Sequence, residues 1–397
     1  MSYKEKSEPV SQMRFTTADT EQREGESVLK LSAANGDRET SIYFRTRDAV
    51  LTLRNEALAC LGLLPAMKTG RGLRIDGELS ERFLDSLETV QDIYCSWEPS
   101  FRRVEIVGAT ARAIPSRPGR GVGLFFTGGL DSFYTLLKHK DEITHLIFIH
   151  GIDFNLKDPV LRSQVSEMLN RVGTHFGVGV IEIEANLRDC SELFDLNWNL
   201  SHGGAFAATA YSLSALIRRI YMPASFIYAE LVPWGTHPLL DPLWSSEDLE
   251  FVHDGCEASR VQKAAMIANS EIAMTSLRVC WFNTKNAYNC GECEKCLRTM
   301  VNLYAAGALE RCSTFPDKID LRRITRMSIV DMKRHRIQEN LRALEGRPEA
   351  KEIAQVLELV LSRPEWRGRL NYQFWRRLRI WKRSVRRRLG LENKQTS

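Results

Sequence analysis

The sequence lacks any run of apolar residues long enough to cross a lipid bilayer, and it contains no internal repeat and no low-complexity tract. A membrane-spanning helix needs about 20 consecutive apolar residues, so an integral membrane protein is not expected. The Gly-Lys-Ser/Thr of a Walker loop is also missing, which argues against the P-loop class of nucleotide-binding proteins. Residues 1–27 are polar and charged, without the apolar core of a signal peptide, so the nine cysteines are expected in a reducing cytosol.

The chain is long enough for two domains with ordinary cores. It has 397 residues, of which 43% are hydrophobic and 26% are charged, as in soluble globular proteins. Its net charge of +5 is unevenly distributed, because residues 363–388 carry eleven Lys or Arg residues and one Glu. The rest of the chain is therefore net acidic, whereas the C-terminal segment is strongly basic.

The most informative segment is residues 124–134, Leu-Phe-Phe-Thr-Gly-Gly-Leu-Asp-Ser-Phe-Tyr. The apolar run Val122–Phe126 predicts a buried strand, and a helix is expected to begin at Asp131. Two consecutive glycines let backbone N–H groups approach a ligand, and the helix N-terminus adds donors and a partial positive charge. This pattern predicts an anion-binding turn, in which Thr127 and Ser132 add hydroxyl donors and Asp131 orients the loop or binds Mg²⁺.

Four of the nine cysteines form a closely spaced array. The array has the pattern Cys-x9-Cys-x2-Cys-x2-Cys and consists of Cys280, Cys290, Cys293 and Cys296. Gly291 permits the tight turn that directs two of the sulfurs to one point. Four thiolates suit tetrahedral Zn²⁺ with no position left for water, which predicts a structural zinc site. An iron–sulfur cluster is the alternative, because four cysteines also suffice for a four-iron cluster.

Taken together, the two motifs resemble a known superfamily. Residues 127–132 resemble the Ser-Gly-Gly-x-Asp-Ser loop of the ATP pyrophosphatase (PP-loop) superfamily, with Thr127 in place of the first serine. With the four-cysteine array, residues 120–312 are similar to the 7-cyano-7-deazaguanine synthase family of queuosine biosynthesis. Residues 235–244 and the large N-terminal region depart from that family's pattern, so the resemblance does not imply the substrate.

The resemblance implies an α/β fold with a parallel, doubly wound sheet, and it implies ATP, Mg²⁺ and Zn²⁺ as ligands. The implied activity is a C–N ligase that activates a carboxylate or carbonyl oxygen of a small substrate, releases AMP and pyrophosphate, and uses a nitrogen donor. A PP-loop enzyme that thiolates tRNA is the nearest alternative, and a non-catalytic nucleotide-binding partner protein is an alternative of another class. Asp131 and Ser132 are the catalytic candidates, and the predicted nucleotide-binding residues are Thr127, Gly128, Gly129, Leu130, Asp131, Ser132 and His202.

Other polar residues are candidates with an equally ordinary structural explanation. His202 precedes two glycines and is expected at a turn that faces phosphate or adenosine, although it could also cap a helix. Asp153 and Asp241 could bind Mg²⁺ or substrate, or they could be turn residues. Cys190 and Cys256 are candidate sulfur carriers, although isolated cysteines are more often small buried apolar residues.

The pattern along the chain predicts several secondary-structure elements. A hairpin is expected over residues 28–46, a helix is expected to begin at Ser80, and alternating strands and helices are expected beyond residue 122. Among the latter are helices over 159–176 and 204–220 and a strand over 226–231. The predicted organisation is a disordered N-terminus (1–27), a small α+β domain (28–112), a linker (113–121), the ATP-binding domain with the zinc segment (122–315), a helical region (316–364) and a basic amphipathic tail (365–397).

The tail combines an apolar stripe with many arginines. The stripe, at helical spacing, consists of Leu370, Phe374, Leu378, Trp381, Val385 and Leu389. Such a helix could dock on protein, lie on an anionic membrane surface or bind nucleic acid, and the tryptophans favour lipid over RNA. The expected location is cytoplasmic, with peripheral attachment at the inner membrane surface through the tail. A homodimer is a further candidate assembly.

Overall fold

A computed structural model describes residues 12–364, except 24, 36, 114, 116–118, 153–155, 157, 281–286 and 328–333. The chain forms two compact units. The first contains the chain up to Thr127 and residues 131–259, and the second contains Gly128–Leu130 and the chain from Arg260 onward. No helix in the described ranges is both long enough and apolar enough to cross a membrane.

The first unit is built on a ten-stranded sheet. Its strands are β1 (Gln12–Arg23), β2 (Glu26–Asn35), β3 (Arg38–Thr46), β4 (Gly72–Ser80), β5 (Ile106–Arg112), β6 (Gly121–Phe125), β7 (His145–His150), β8 (Gly179–Ala185), β9 (Ile217–Pro223) and β10 (Glu250–Asp254). Its helices are α1 (Asn55–Thr69), α2 (Glu81–Trp97), α3 (Leu130–Lys138), α4 (Pro159–Phe176), α5 (Leu187–Leu193) and α6 (Trp198–Ser212).

One half of the sheet is entirely parallel, in the order β10-β9-β6-β7-β8. From β6 the chain moves outward through β7 to β8, and it then crosses to β9 on the other side of β6. The strand order therefore reverses between β6 and β9. In open parallel sheets, ligands bind beyond the carboxyl ends of the strands at such a reversal.

The N-terminal strands continue this sheet. β3 pairs antiparallel with β8, and the order then runs β3-β2-β1-β4-β5. Buried side chains form one core across this join, where the ring centroids of Phe15 and Phe194 lie 6.1 Å apart. The predicted division into a domain over 28–112, a linker over 113–121 and a domain over 122–315 differs from the compact units, because strand pairing extends the sheet across it.

Strand β1 lies in a region that the sequence predicts to be disordered, so that prediction is wrong for residues 12–23. Met13 and Phe15 are buried, with 2% and 3% of their surfaces exposed. β1 pairs antiparallel with β2 and parallel with β4. Its sequence gives little sign of a strand, because most of its residues are polar and an apolar alternation is present only at Met13 and Phe15. Residues 1–11 lie outside the described part.

Two elements around α6 differ from their predictions. The helix expected over 204–220 is α6, which ends at Ser212, followed by strand β9. The expected strand over 226–231 instead contains a short 3₁₀ turn, Tyr228–Glu230. Within β9, Arg219 forms ion pairs with Glu142 and Glu250 at 3.0 and 2.8 Å.

Several predicted elements are confirmed. Ser80 caps helix α2 by accepting a hydrogen bond from Phe83 N at 3.0 Å. Strands β2 and β3 form the predicted antiparallel hairpin. Helix α4 has the predicted bounds, and Asp158 caps it by accepting a bond from Leu161 N.

The second unit is mainly helical in its described part. Its helices are α7 (Arg260–Ile267), α8 (Glu271–Met274), α9 (Glu294–Ala305), α10 (Leu321–Arg326), α11 (Arg334–Leu344) and α12 (Lys351–Leu361). Helix α9 packs against α7 and α11, and α12 packs against α10 and α11. Leu297, Met300 and Val301 of α9 are fully buried. This packing fixes the helix that carries the last cysteine of the array.

Candidate functional site

The glycine turn follows β6, the strand beside the reversal of strand order. Phe126 N donates a hydrogen bond to Ile147 O at 2.9 Å, which keeps the chain in line with β7. Gly128 has φ of +71°, a conformation that costs a side-chain-bearing residue about 1–2 kcal/mol. Helix α3 then begins at Leu130. The predicted strand, turn and helix are therefore all present.

The polar side chains of the turn differ in exposure. Thr127 is exposed and Asp131 is half-buried, whereas Ser132 has only 3% of its surface exposed. Glycines and an adjoining helix N-terminus give the turn the local features of an anion site. Of its two hydroxyls, that of Thr127 is therefore more accessible to a ligand.

Gly128 of the turn belongs to the second unit and is hydrogen-bonded within it. Arg278 N donates a hydrogen bond to Gly128 O at 2.8 Å. The Arg278 side chain is buried, with 3% of its surface exposed. Arg278 lies two residues before Cys280, so one short segment contacts the glycine turn and contributes a cysteine to the array.

The four cysteines come together in one cluster. The sulfur atoms of Cys280, Cys290, Cys293 and Cys296 all lie within 4.8 Å of one another. The Sγ atoms of Cys290 and Cys296 are 3.8 Å apart. Four thiolates at about 2.3 Å from one tetrahedral Zn²⁺ would be separated by about 3.8 Å. The cluster therefore fits a single metal ion, whereas a four-iron cluster, in which each thiolate binds a different iron, would spread the sulfurs farther apart.

Backbone N–H groups surround the sulfurs as they do at thiolate ligands. Cys293 N and Glu292 N donate to Cys290 Sγ at 3.3 and 3.5 Å, and Cys296 N donates to Cys293 Sγ at 3.4 Å. Gly291 has φ of +65°, which makes this tight turn possible, as predicted. These bonds stabilise negative charge on sulfur.

The crowding of the thiols opposes their ionisation without a cation. Hydrogen bonding with the Cys280 thiol, together with burial, raises the pKa of Cys293 to about 12. The same thiol raises the pKa of Cys296. A bound divalent cation reverses this tendency because it stabilises thiolates directly.

Asn289 bonds to the segment that joins the two motifs, and the sequence alone did not predict this role. Its Oδ1 accepts hydrogen bonds from Val279 N at 2.9 Å and Cys280 N at 3.2 Å. Its Nδ2 donates to Leu277 O at 2.8 Å and Thr314 O at 3.3 Å. The only signal in the sequence was its position immediately before Cys290.

His202 lies inside helix α6, not at the predicted turn before a helix. Its Nδ1 is 2.9 Å from Trp198 O, and its ring contacts Trp234 at a centroid distance of 5.4 Å. The two glycines after it serve helix packing, because a Cβ at Gly203 would overlap Gly235 O and one at Gly204 would lie 2.5 Å from Cys60 O. Nucleotide binding by His202 stays a prediction.

Asp241 is a buried structural residue and not an open metal ligand. It has no exposed surface, and His253 Nδ1 lies 2.6 Å from its Oδ2. Burial raises the pKa of Asp241. Burial also lowers the pKa of His253, but the hydrogen bond and charge of Asp241, together with Cys256, outweigh it and raise that pKa to about 9. Asp153 lies outside the described residues.

The candidate sulfur carriers are poorly placed for nucleophilic chemistry. Cys190 and Cys256 are buried, with 4% and 2% of their surfaces exposed. Burial raises the pKa of Cys190 to about 12, which keeps it a neutral thiol at physiological pH. Cys60 is buried as well, and burial raises its pKa.

Comparisons with protein-family models, with curated proteins and with solved structures found no match for this chain.

Proposed function

We propose that this protein is an ATP-dependent adenylating ligase of the PP-loop superfamily. The observation that carries the proposal is the position of the Thr127–Ser132 turn, after the strand beside which the strand order reverses. An anion-binding turn at that point is where a doubly wound sheet binds nucleotides. The doubly wound PP-loop fold is part of the same proposal, and the parallel half of the sheet supports it.

The chain's own groups have defined roles in this proposal. An oxygen of the small substrate attacks the α-phosphorus of ATP, and the bond to pyrophosphate breaks. Backbone N–H groups of the turn and the Thr127 hydroxyl stabilise the charge that develops on the leaving pyrophosphate. Ammonia or an amine then forms the C–N bond, and AMP leaves with the activated oxygen.

Metal ions have separate roles. Asp131 is the candidate ligand for Mg²⁺, which would neutralise phosphate charge when bound. The four-cysteine cluster would hold Zn²⁺ in a closed, structural site, because all four positions of a tetrahedron are filled by protein sulfur. The short sulfur–sulfur spacing favours zinc over an iron–sulfur cluster.

The cysteines favour a ligase over the tRNA-thiolating alternative. A thiolase of this kind needs a reactive thiol, whereas Cys60, Cys190, Cys256 and Cys312 are buried. Burial raises the pKa of the half-buried Cys95 as well. The non-catalytic alternative, a nucleotide-binding partner protein, predicts ATP binding without AMP formation.

The test of the nucleotide site is calorimetric titration with ATP and Mg²⁺. Gly129→Val should abolish binding, because its side chain would occupy the space through which pyrophosphate approaches the backbone. Gly346→Val is the control for strain away from the turn. Gly346 has φ of +74°, so valine there should lower stability, but its Cβ meets no atom within 4 Å and ATP affinity should stay parental. Binding by Gly129→Val as tight as by the parent would refute the assignment of the turn.

The proposed membrane contact belongs to residues 365–397, which lie outside the described residues. It rests on the +10 charge of residues 363–388 and on the apolar stripe of the sequence. Deleting residues 366–397 should abolish salt-sensitive co-sedimentation with anionic vesicles and leave zinc content unchanged. Parent protein that does not sediment with vesicles, together with a destabilised truncation, would favour docking on the protein. Homodimer formation and nucleic-acid binding stay predictions that sedimentation and RNA titration would test.

A further inference from the structure

One short backbone segment, Leu277–Cys280, contributes to the four-cysteine cluster and also contacts the glycine turn. Cys280 contributes a sulfur to the cluster. Two residues earlier, Arg278 N donates its hydrogen bond to Gly128 O at 2.8 Å. The cluster and the turn are thus separated by a single residue of this segment, Val279.

The segment does not depend on the cysteine alone for its position. The Asn289 amide bonds to Leu277, Val279 and Cys280, at 2.8, 2.9 and 3.2 Å. These bonds lie on both sides of Arg278, so the amide group fixes the direction of the Arg278 N–H. Tyr288 adds a bond from its hydroxyl to Ser276 O at 2.7 Å.

Asn289 is itself positioned by the cluster. It immediately precedes Cys290, which receives two N–H bonds and lies 3.8 Å from the Cys296 sulfur. A metal ion bound by both Cys280 and Cys290 would join the end of the Leu277–Cys280 segment to the residue that follows Asn289, and it would reinforce the contacts of Asn289 with that segment.

We propose that Asn289 is a positioning residue through which metal occupancy of the cluster controls the anion-binding conformation of the glycine turn. The proposal rests on the proposed function for its ATP readout. Metal at the cluster holds the segment, Asn289 aligns Arg278 N–H, and that donor holds Gly128 in its left-handed conformation. Because coupling between two binding sites is reciprocal, ATP should also tighten metal binding.

The experiment uses full-length protein with zinc, and it measures zinc content, ATP affinity and amide hydrogen exchange at residues 276–280. Asn289→Ala should keep its zinc, weaken ATP binding about tenfold and accelerate exchange of the Arg278 amide, because hydrogen bonds that align the donor are lost. Asn289→Asp retains the acceptor for Val279 and Cys280 N–H but loses the donor to Leu277 O, so it should restore only part of the affinity. Chelation of zinc from the parent should reproduce the Asn289→Ala exchange pattern.

Gln91→Ala is the matched control for loss of a side-chain amide. Gln91 Oε1 accepts a hydrogen bond from Val104 N at 2.7 Å, and the side chain is buried in the first unit. The variant should be destabilised but should retain parental ATP affinity and slow Arg278 exchange. Equal loss of affinity in Gln91→Ala and Asn289→Ala would show a general effect of destabilisation and would overturn the proposal.

The outcomes separate this inference from the proposed function. Parent protein that fails to bind ATP would refute the proposed function, while Arg278 exchange would still report the coupling with and without zinc. Parental exchange and affinity in zinc-loaded Asn289→Ala would overturn the positioning role. If Asn289→Ala releases zinc, the same measurements are made with saturating zinc, and parental values there would equally overturn it.

Discussion

Replacement of Gly128 by alanine tests the turn most closely, because its φ of +71° is unfavourable for any residue with a Cβ. The left-handed conformation costs alanine about 1–2 kcal/mol. This strain should lower either the stability of the protein or its affinity for ATP. If the turn keeps its conformation, Gly128→Ala lowers the free energy of unfolding. If the turn relaxes, the strain is restored on ATP binding, and affinity falls by about five- to thirty-fold.

The loss in unfolding free energy and the loss in ATP-binding free energy should therefore add up to about 1–2 kcal/mol or more. Denaturant unfolding measures one part and calorimetric titration with ATP and Mg²⁺ measures the other. Gly177→Ala is the matched control: Gly177 ends helix α4 with φ of +66°, and a Cβ there meets no atom within 4 Å. It should lose stability only. Gly128→Ala with parental stability and parental affinity would refute the described conformation of the turn.

Three further predictions concern the rest of the structure. Cys293→Ser should lower zinc content and melting temperature, whereas Cys95→Ser, outside the cluster, should keep full zinc; metal analysis and thermal melts would detect either result. The pKa of His253, about 9 against 6.5, predicts stability that is complete below pH 6.5 and is lost by about 3 kcal/mol as the pH rises through 9. In His253→Gln this loss should be absent. The same dependence of unfolding free energy on pH in both proteins would contradict the prediction. Gly203→Ala should lower the free energy of unfolding by about 1–3 kcal/mol, because its Cβ would overlap Gly235 O, and an unchanged denaturation midpoint would count against that packing.

The sequence predicted those elements whose signals are local. Ser80 and Asp158 cap two of the predicted helices, and the apolar run before Thr127 predicted strand β6. Helix α1 was missed, although residues 57–67 are apolar and contain no β-branched residue, because its continuous burial removes the alternation of polar and apolar faces. β1 was missed because its residues are mostly polar, so the sequence shows little of the apolar alternation that predicts a strand.

The candidate site was predictable where its chemistry is local. The cysteine spacing predicted a cluster that could hold a metal, and the sulfurs do converge. The two glycines after His202 favoured a turn at that point, but they lie inside α6, because glycine permits close backbone approach in helix packing as well as around ligands. Asp241 gave no sign of its buried partner His253, because that pairing depends on tertiary structure. Asn289 was missed for the same reason.

The most direct test of the proposed activity is product analysis after incubation of the zinc-loaded protein with ATP, Mg²⁺, ammonium and a panel of small carboxylic acids. The account predicts AMP and pyrophosphate in equal amounts, formed only with an accepted carboxylate, and their absence with Gly129→Val. ADP and phosphate as the products, or equal AMP formation by Gly129→Val, would contradict it.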